Sequence, residues 1–559
     1  MKAGKFALWA APLLFLLTFY FFPIARIFEF SFGQGGLGNV SDANWRIISH
    51  AISFTIFQAL LSTLVTLIVG IPAAYLFGRF DFKAKGFLRI AATLPFILPT
   101  VVVAAGFNAL VGPQGWINLL YMAMTGSNTP VIQIFNTFSG ILLAHVFYNT
   151  SIVIRVLGTA WEQLDPRLED AGRMLGASGL KVFLRITLPL LLPSLISSAL
   201  LVFLFNFTSF GVILLMGGVQ FSTIEVEIYI QTMQFLNLPL ASLLAIIQLS
   251  FSLIVSYMLV KKSASMIVPT IPRIKGEGVK KPEKLIQKVF LATWISLLII
   301  LLVLPVVALL LRSVIMLDDT GGRITLDFYK TLFINQRQSM FFVPPITALR
   351  NSLLFALATA LISLTLGVMV TYSKNSGSKK DKLLEVILML PMGTSAVTMG
   401  LGLLITFASG QAPAYLYPML IPIAHSLIAL PFVVRILEPA ISAIPVRLKW
   451  AASTLGASPR AVWRLIELPL VWRAMTASAV YAFTISLGEF GATSFLSRPE
   501  FPTMPVAIFR YLNLPGSLNY GQALAMSVIM LLVCAGGMAV IDRSSITRSI
   551  EEKETGFHA

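Results

Sequence analysis

Long apolar stretches separated by short polar segments run along almost the whole chain. Runs of about 18 or more apolar residues are long enough to cross the roughly 30 Å hydrocarbon core of a bilayer as helices. The strands of a membrane barrel would instead show short segments of alternating polarity. We therefore predict an all-α polytopic membrane protein with about twelve transmembrane helices. They lie near residues 6–25, 52–77, 88–111, 139–157, 193–217, 240–260, 289–311, 351–373, 383–408, 416–437, 473–496 and 521–541.

The polar segments between these stretches contain an internal repeat. Residues 167–189 read RLEDAGRMLGASGLKVFLRITLP, and residues 447–469 read RLKWAASTLGASPRAVWRLIELP. Both copies share RL at the start, LGAS in the middle and I-x-LP at the end, at an offset of 280 residues. An even number of predicted helices precedes the second half, so both copies enter the membrane in the same orientation. The sequence therefore predicts a parallel repeat of two tandem six-helix domains.

The same offset continues outside the two matched segments, where His145 pairs with His425 and Phe210 with Phe490. Upstream the offset changes, because the first half carries extra residues around 112–133. A basic stretch with Pro and Gly separates the halves and is typical of a linker. The predicted domains are a first transmembrane domain at 1–260 with loop A at 158–192, a linker at 261–288, a second transmembrane domain at 289–541 with loop B at 438–472, and a tail at 542–559.

Charged residues are sparse and unevenly placed along the chain. They make up 12% of the sequence, against 57% hydrophobic residues and a mean hydropathy of +0.85. Of the 41 Lys and Arg residues, 32 fall on one side of the predicted membrane and 9 on the other. By the positive-inside rule the richer side is cytoplasmic, which places both termini and loops A and B in the cytoplasm. The net charge of +17 is thus mainly a topology signal, and we expect no nucleic-acid partner.

Few residues offer the chemistry of an enzyme, a metal site or a cofactor site. The one cysteine, Cys534, lies inside the last apolar run, so neither an intrachain disulfide nor a cysteine metal site is expected. The sequence contains no G-x-x-x-x-G-K-[ST] loop, so it has no nucleotide-binding motif of this type. It also lacks a His-rich cluster and an activated serine. We expect no catalytic residue, no metal and no cofactor.

Loops A and B carry the most specific pattern in the chain. In each, apolar or small residues recur at spacings of three and four, which predicts one amphipathic helix. Gly176 and Gly456 follow at a position that tolerates positive φ. A second short helix should then stop at a Leu-Pro pair. The predicted stripe is Trp161, Leu164, Leu168, Ala171 and Leu175 in loop A, and Ile441, Ile444, Leu448, Ala451 and Leu455 in loop B.

Two interpretations of this helix–turn–helix pattern are open. Each loop could pack as an interfacial hairpin against its own bundle, or it could dock a cytoplasmic partner. Small residues at the crown, Ala171 and Gly172 in loop A and Ala451 and Ala452 in loop B, would let another backbone approach closely. Duplication favours docking, because two equivalent surfaces suit a partner that is itself a dimer.

The two segments resemble the EAA loops in permease subunits of bacterial ATP-binding-cassette (ABC) importers. The family pattern is Glu-Ala-Ala, three residues, Gly, nine residues, Ile, one residue and Leu-Pro. Loop A gives Asp170-Ala171-Gly172, Gly176 followed by Ala177, Ile186 and Leu188-Pro189, and loop B gives Trp450-Ala451-Ala452, Gly456 followed by Ala457, Ile466 and Leu468-Pro469. The leading Glu is replaced by Asp170 in loop A and by Trp450 in loop B. Because these two residues differ, the two docking sites are expected to differ in binding energy.

The resemblance covers nearly the whole chain, which is similar to the fused two-domain permeases of thiamine and ferric-iron importers. It implies a cytoplasmic ATPase dimer bound at loops A and B, an extracytoplasmic substrate-binding protein, and a place in the bacterial plasma membrane. ATP hydrolysis would belong to the ATPase subunit. The stretches at 112–120, 140–149 and 221–229 look thiamine-type, whereas SLGEFGATSFL at 486–496 is common to both groups. Thiamine or a derivative is the preferred substrate, and ferric iron or another small solute is the alternative.

A twelve-span secondary transporter driven by an ion gradient is the alternative from another class. It predicts charged pairs within the spans and no ATPase partner.

Polar residues within the apolar runs are candidates for the translocation path. Two equivalent histidines are buried ionisable groups, for which a hydrogen bond to a neighbouring helix is the alternative role. Acidic groups would lower the cost of moving a cation, and a structural acid or a solvated loop charge is the alternative. The candidates are His145, His425, Asn206, Glu225, placed in an outer loop, and Glu489 with its repeat counterpart Ser209.

Overall fold

A computed structural model describes residues 2–33, 41–127, 129–265, 279–318, 321–334, 344–373, 379–407 and 416–555. Among these residues, 11 helices are long and apolar enough to cross a membrane, or up to 12 if one bent pair counts as a span. The prediction of an all-α polytopic fold is thereby confirmed. The 11 helices are Leu8–Phe32, Asp42–Arg79, Thr100–Thr125, Phe138–Gln163, Gly179–Phe207, Leu238–Met258, Leu285–Arg312, Pro345–Ser373, Leu416–Ser442, Pro459–Gly488 and Ser517–Val540.

Shorter elements connect and cap these helices. The predicted linker and tail lie partly outside the described residues, and the predicted domain limits stay a prediction. The shorter helices are Lys85–Ala91, Leu94–Ile97, Pro166–Met174, Gly211–Met216, Val219–Phe221, Ile224–Met233, Asp327–Lys330, Thr331–Phe333, Lys379–Met389, Leu390–Gly393, Ala396–Phe407, Val446–Thr454, Gly491–Leu496 and Met504–Leu512, and the two strands Ile315–Asp318 and Gly321–Ile324 pair with each other.

The third predicted helix of each half is broken, which the sequence pattern did not indicate. In the first half, Leu98 is extended (ψ 125°) before Pro99, because the residue before a proline is disfavoured in the helical region. In the second half, Leu384–Gly393 and Ala396–Phe407 meet at 99° after the extended residue Thr394. The polar backbone at these breaks would be costly in lipid, so it must be shielded by protein or water.

The fifth helix of each half also differs from its prediction. Its N-terminus begins inside loop A or loop B and it ends at Phe207 or Gly488, short of the predicted limits. A separate buried helix then precedes the last span, namely Ile224–Met233 in the first half and Met504–Leu512 in the second. Each is too short to cross a membrane, and the apolar-run criterion therefore missed both.

The chain forms two compact units. Unit I comprises Met1–Asn39, Gln231–Ile246 and Leu317–Ala559, and unit II comprises Val40–Ile230 and Ile247–Met316. The predicted domains follow the sequence repeat, whereas these units follow contacts in space. Each unit therefore contains the first helix of the other half.

In unit II, three helices pack around a common apolar core: Asp42–Arg79, Phe138–Gln163 and Leu188–Phe207. Gly70 permits their close approach, because a Cβ there would lie 2.6 Å from the Cβ of Val153. The helix Leu285–Arg312 packs against Thr100–Val111 in the same unit.

Unit I repeats this arrangement with Pro345–Ser373, Leu416–Ser442 and Leu468–Gly488. Gly367 takes the place of Gly70, since a Cβ there would lie 2.6 Å from Cγ1 of Val433. The first helix of the chain packs against Ala396–Phe407, and the Tyr20 hydroxyl lies 2.6 Å from Thr394 Oγ1. Small residues at matching positions thus set the helix spacing in both halves.

Candidate functional site

Loops A and B have the same backbone turn at their crowns. In loop A the helix Pro166–Met174 ends at Gly176 with φ +81°, and Ala177 N–H donates to the Gly172 carbonyl at 3.1 Å. In loop B the matching residue Gly456 has φ +82°, and Ala457 N–H donates to the Ala452 carbonyl at 3.0 Å. A second bond, from each glycine N–H to the carbonyl three residues earlier, completes a Schellman turn. The predicted helix ends at Gly176 and Gly456 are therefore where the structure places them.

The amphipathic stripe predicted for the two loops is wrong as a single face. The helix Phe138–Gln163 ends before Leu164, which is extended, and a new helix starts at Pro166. Because the chain breaks there, Trp161 and Leu164 are buried in the bundle, whereas Leu168 and Leu175 are exposed. Loop B divides in the same way after Ile444. The apolar residues beyond the break therefore face outward.

The outer surface of each loop, which we call the crown, carries an almost fully exposed leucine at the same repeat position. Leu175 is 89% exposed and Leu455 is 88% exposed. Ala171 and Ala451 are also exposed, as predicted for small crown residues. Gly172 and Ala452 instead face inward, and a Cβ on Gly172 would lie 2.6 Å from Cδ1 of Ile186. The inward pair serves to pack the hairpin, which corrects the prediction that they form part of the crown.

The Leu-Pro pairs do not stop a helix. Leu188 and Pro189 lie inside the continuous helix Gly179–Phe207, and Leu468 and Pro469 lie inside Pro459–Gly488. A π-helical turn precedes each pair, and Leu188 N–H donates to the Phe183 carbonyl five residues back. The wider turn accommodates the proline without breaking the helix. Each loop is therefore joined rigidly to the fifth span of its half.

The two crowns differ where the family pattern has its glutamate. Asp170 is exposed and forms a 3.3 Å ion pair with Arg173 on the same helix. Trp450 is 67% exposed. An exposed pair of this kind contributes little free energy, whereas an exposed tryptophan is the side chain most often dominant in an interface.

The resemblance implies that the two crowns dock an ATPase. On that expectation we predict that Trp450→Ala weakens its binding by about thirtyfold and Asp170→Ala by about threefold or less. Both side chains are exposed, so neither change should alter the melting temperature. Titration of the ATPase against the unaltered and altered chains in nanodiscs measures both affinities. Equal losses would show that the crowns contribute alike.

An ion pair fastens the first helix of each loop, and the sequence did not single it out. The partner is the second span in loop A, and in loop B it is the helix Pro459–Gly488 that begins within the same loop. In loop A, Glu169 pairs with Arg79 at the end of the second span, with 2.5 Å between Glu169 Oε1 and an Arg79 guanidinium nitrogen. The Thr187 hydroxyl donates to the same carboxylate at 2.9 Å. In loop B, Lys449 Nζ lies 2.7 Å from Glu467 Oε1. We call these the loop A clamp and the loop B clamp.

The loop residues of the two clamps occupy the same repeat positions but differ in charge. Glu169 corresponds to Lys449, and Thr187 corresponds to Glu467, both at the offset of 280. A carboxylate therefore sits on the loop helix in one half and on the span in the other. This change of charge within an otherwise matched repeat is the feature of the sequence from which the clamps could have been predicted.

The predicted histidines lie at equivalent places inside the two units. His145 Nδ1 is 2.9 Å from Ser62 Oγ, and its Nε2 is 2.9 Å from Ser209 Oγ. His425 Nδ1 is 2.7 Å from Ser486 Oγ, and its Nε2 is 2.8 Å from Thr493 Oγ1. Both rings are buried and hydrogen-bonded to neighbouring helices. A part in the translocation path stays a prediction for both.

Glu489 is the main difference between these two histidine sites. Its Oε2 lies 3.2 Å from His425 Nε2. The carboxylate also accepts the backbone N–H groups of Ala492 at 2.9 Å and Thr493 at 3.0 Å. Glu489 is thus a buried acid that accepts a hydrogen bond at each carboxylate oxygen. The matching Ser209 has only a hydroxyl, which bonds to His145.

Asn206 and Glu225 lie in separate networks of unit II. Asn206 Oδ1 accepts from Asn149 Nδ2 at 2.6 Å. Glu225 is fully buried in the helix Ile224–Met233 and accepts from Gln248 Nε2 at 2.8 Å. Its predicted position in an outer loop, with a solvated charge as the alternative, is therefore wrong. A role for either residue in transport stays a prediction.

A cavity of about 300 Å³ opens beside His145 in unit II. It lies between the break at Leu98, the helix Phe138–Gln163 and the bend at Thr208. The structure thus brings His145, Ser209 and Asn149 to one cavity, whereas Glu225 is absent from its lining. The lining residues are Pro95, Leu98, Thr100, His145, Tyr148, Asn149, Ile152, Phe205, Thr208, Ser209, Phe210, Gly211 and Val212.

Comparison with known proteins adds independent information. The family described as binding-protein-dependent transport system inner membrane component matches residues 67–265 and again residues 363–545. These two matches contain loop A and loop B respectively, at equivalent places.

Several curated proteins are similar over most of their length. The thiamine transport system permease protein of Escherichia coli (strain K12) is 24% identical over 504 residues, which cover 88% of each chain. The protein of the same name from Brucella abortus (strain 2308) is 26% identical over 531 residues, or 92% of this chain and 91% of that one. A probable ABC transporter permease protein of Sinorhizobium fredii is 26% identical over 560 residues, or 96% and 95%.

Proposed function

Since this chain belongs to the binding-protein-dependent transport system inner membrane components, the permease subunits of ABC importers, we propose that it forms the path by which thiamine or a thiamine derivative crosses the membrane. The observation that carries the substrate is the similarity to thiamine permeases along nearly the full length of both chains. The thiamine-type stretch at 140–149 supports it further, because this stretch supplies His145 and Tyr148 to the cavity.

We further propose that loops A and B seat on the two subunits of a cytoplasmic ATPase dimer. Their matching Schellman turns and exposed leucines support this, because a symmetric partner needs two surfaces of the same shape. Each loop continues into the fifth span of its half. Loop A is also paired with the second span through Glu169 and Arg79, and in loop B the pair of Lys449 and Glu467 ties the first loop helix to the fifth span. Closure of the ATPase dimer would therefore move whole helices as rigid bodies rather than deform the loops.

The remaining partners and the orientation follow the same proposal. An extracytoplasmic binding protein delivers the substrate, and hydrolysis of ATP takes place in the ATPase subunit. The excess of Lys and Arg on the side of loops A and B supports a cytoplasmic position for these loops and for both termini. The proposed location is the inner, or plasma, membrane of a bacterium.

Reconstitution tests the substrate and the driving force together. The permease, its ATPase and its binding protein are assembled in proteoliposomes, and uptake of radiolabelled thiamine is measured with and without ATP. We expect uptake that needs ATP and the binding protein, and that persists when ionophores remove ion gradients.

Two other outcomes are informative. Uptake of ferric iron in place of thiamine would support the alternative substrate. Uptake that follows an ion gradient without ATP would contradict the importer mechanism.

A further inference from the structure

The cavity beside His145 is lined by aromatic and neutral polar side chains. Tyr148, Phe205 and Phe210 supply three aromatic rings, and Asn149 and Ser209 supply hydrogen-bonding groups. None of the described residues that line it is Asp, Glu, Lys or Arg. Such a lining fits a small flat ring system, and the negative faces of the rings attract a delocalised cation. The cavity volume of about 300 Å³ lies at the lower end of the range for small-molecule sites.

The second half of the chain provides an internal reference for this lining. At the offset of 280, five lining positions hold aliphatic or small residues or an acid in place of aromatic and neutral polar ones. Tyr148 corresponds to Ile428, Asn149 to Ala429, Phe205 to Ile485, Thr208 to Gly488 and Ser209 to Glu489. The second half forms the same three-helix core with these residues. The packing of the fold therefore does not require the Tyr, Asn and Phe of the first half.

The histidine sites differ in the same sense. In the second half, Glu489 lies between His425 and the backbone N–H groups of Ala492 and Thr493. The carboxylate of Glu489 is therefore hydrogen-bonded to groups of the chain itself. In the first half, His145 and Ser209 both line the cavity. The Ser209 hydroxyl, which lies beside the His145 imidazole, stands where the second half has the Glu489 carboxylate. Both clusters are hydrogen-bonded within the chain, but in the first half their polar residues also line a cavity and include no carboxylate.

We propose that this cavity is a binding subsite for an aromatic cation in transit, and that the first half alone supplies it. Tyr148 and Phe205 hold the ring by stacking and cation–π contact, and Asn149 and Ser209 orient it by hydrogen bonds. This proposal rests on the proposed transport of thiamine, whose thiazolium ring is a cation of this class. It adds that substrate recognition within the membrane is asymmetric although the fold is repeated.

The test replaces lining residues by the residues of the chain's own second half. The variants are Tyr148→Ile, Phe205→Ile and the combination of both with Asn149→Ala. The matched control is Leu64→Tyr, which makes the reverse kind of exchange in the same unit, at a residue that is 55% exposed and outside the cavity lining. Binding of radiolabelled thiamine is measured on the permease–ATPase complex in nanodiscs without the binding protein, and uptake is measured on the full system.

We expect each single variant to bind thiamine about fivefold to thirtyfold more weakly, because one ring contact of this kind is lost. The combined variant should lose uptake, while the binding protein still stimulates ATP hydrolysis. Leu64→Tyr should match the unaltered protein, because the side chain at this position is largely exposed. Thiochrome, an uncharged tricyclic oxidation product of thiamine, should bind more weakly than thiamine to the unaltered complex.

Unaltered binding and uptake in both single variants would overturn the subsite while leaving the proposed function intact. If the combined variant does not assemble, Phe205→Ile alone decides. If the unaltered system fails to transport thiamine, the proposed function is wrong, and the subsite for this cation falls with it.

Discussion

Replacing Leu175 and Leu455 by glutamate should abolish assembly of the permease with its ATPase and leave the permease itself folded. Both leucines are almost fully exposed on the crowns, so neither change removes a contact within the chain. At a docking interface, however, each would bring a charge into an apolar contact. A central interface residue contributes about 2 kcal/mol or more, so the two changes together should weaken assembly by about a thousandfold.

Co-purification of the ATPase with the permease measures this effect, and the melting temperature of the permease alone checks the fold. Ile324→Glu is the matched control, because Ile324 is 80% exposed and lies between the seventh and eighth spans. The alternation of spans predicts that this segment is on the opposite side of the membrane from loops A and B. We expect it to assemble normally. Normal assembly of the double leucine variant would show that the crowns do not dock the ATPase.

Glu169→Lys should uncouple ATP hydrolysis from transport, and adding Thr187→Glu should restore most of the coupling. The single change places a lysine ammonium group next to the guanidinium group of Arg79, which is mostly buried. Loss of one partner from such a pair costs about 3 kcal/mol, because the other charge is left uncompensated. The double change gives loop A the polarity that loop B already has, with the carboxylate on the span side.

The measurement is the number of substrate molecules transported for each ATP hydrolysed in proteoliposomes. The reciprocal pair, Lys449→Glu with Glu467→Thr, gives loop B the arrangement of loop A except for its arginine, and it should recover only in part. If Glu169→Lys transports normally, or if Thr187→Glu brings no recovery, then the clamp does not transmit the motion of the loop.

The sequence was informative where structure is encoded locally. Apolar runs predicted the number of spans, because a membrane helix must satisfy its own backbone and present an apolar surface along its whole length. The glycine at the crown was predicted for a similar reason. A Schellman turn ends a helix with a residue in the left-handed conformation, which glycine adopts most easily. Gly176 and Gly456 take φ values of +81° and +82° at the offset of 280.

The wrong predictions concern segments in which a helix ends and a new one begins. The stripe from Trp161 to Leu175 has helical spacing, but the break at Leu164 turns its second half outward, and spacing alone does not reveal a break. Glu225 was placed in a loop because its helix is too short to be recognised as a span. In both cases the decisive contacts are made with residues remote in sequence.

The clamps and the cavity show what a single sequence leaves undetermined. Arg79 and Glu169 are 90 residues apart, and nothing in either local segment specifies the pairing. Comparison between the two halves would have helped more than either half alone. The charge reversal at Glu169 and Lys449, and the change from Phe205 to Ile485, are both visible once the repeat is aligned.

The exchange of first helices between the two compact units has a consequence for synthesis. Unit II contains residues 40–230 but also residues 247–316, so it cannot be completed until the first helix of the second half has entered the membrane. The N-terminal helix of unit I packs against Pro345–Ser373 and Ala396–Phe407, which emerge from the ribosome much later. Neither compact unit can therefore be completed from one half of the chain alone. Fusion in one polypeptide delivers both exchanged helices in equal number and to the same patch of membrane.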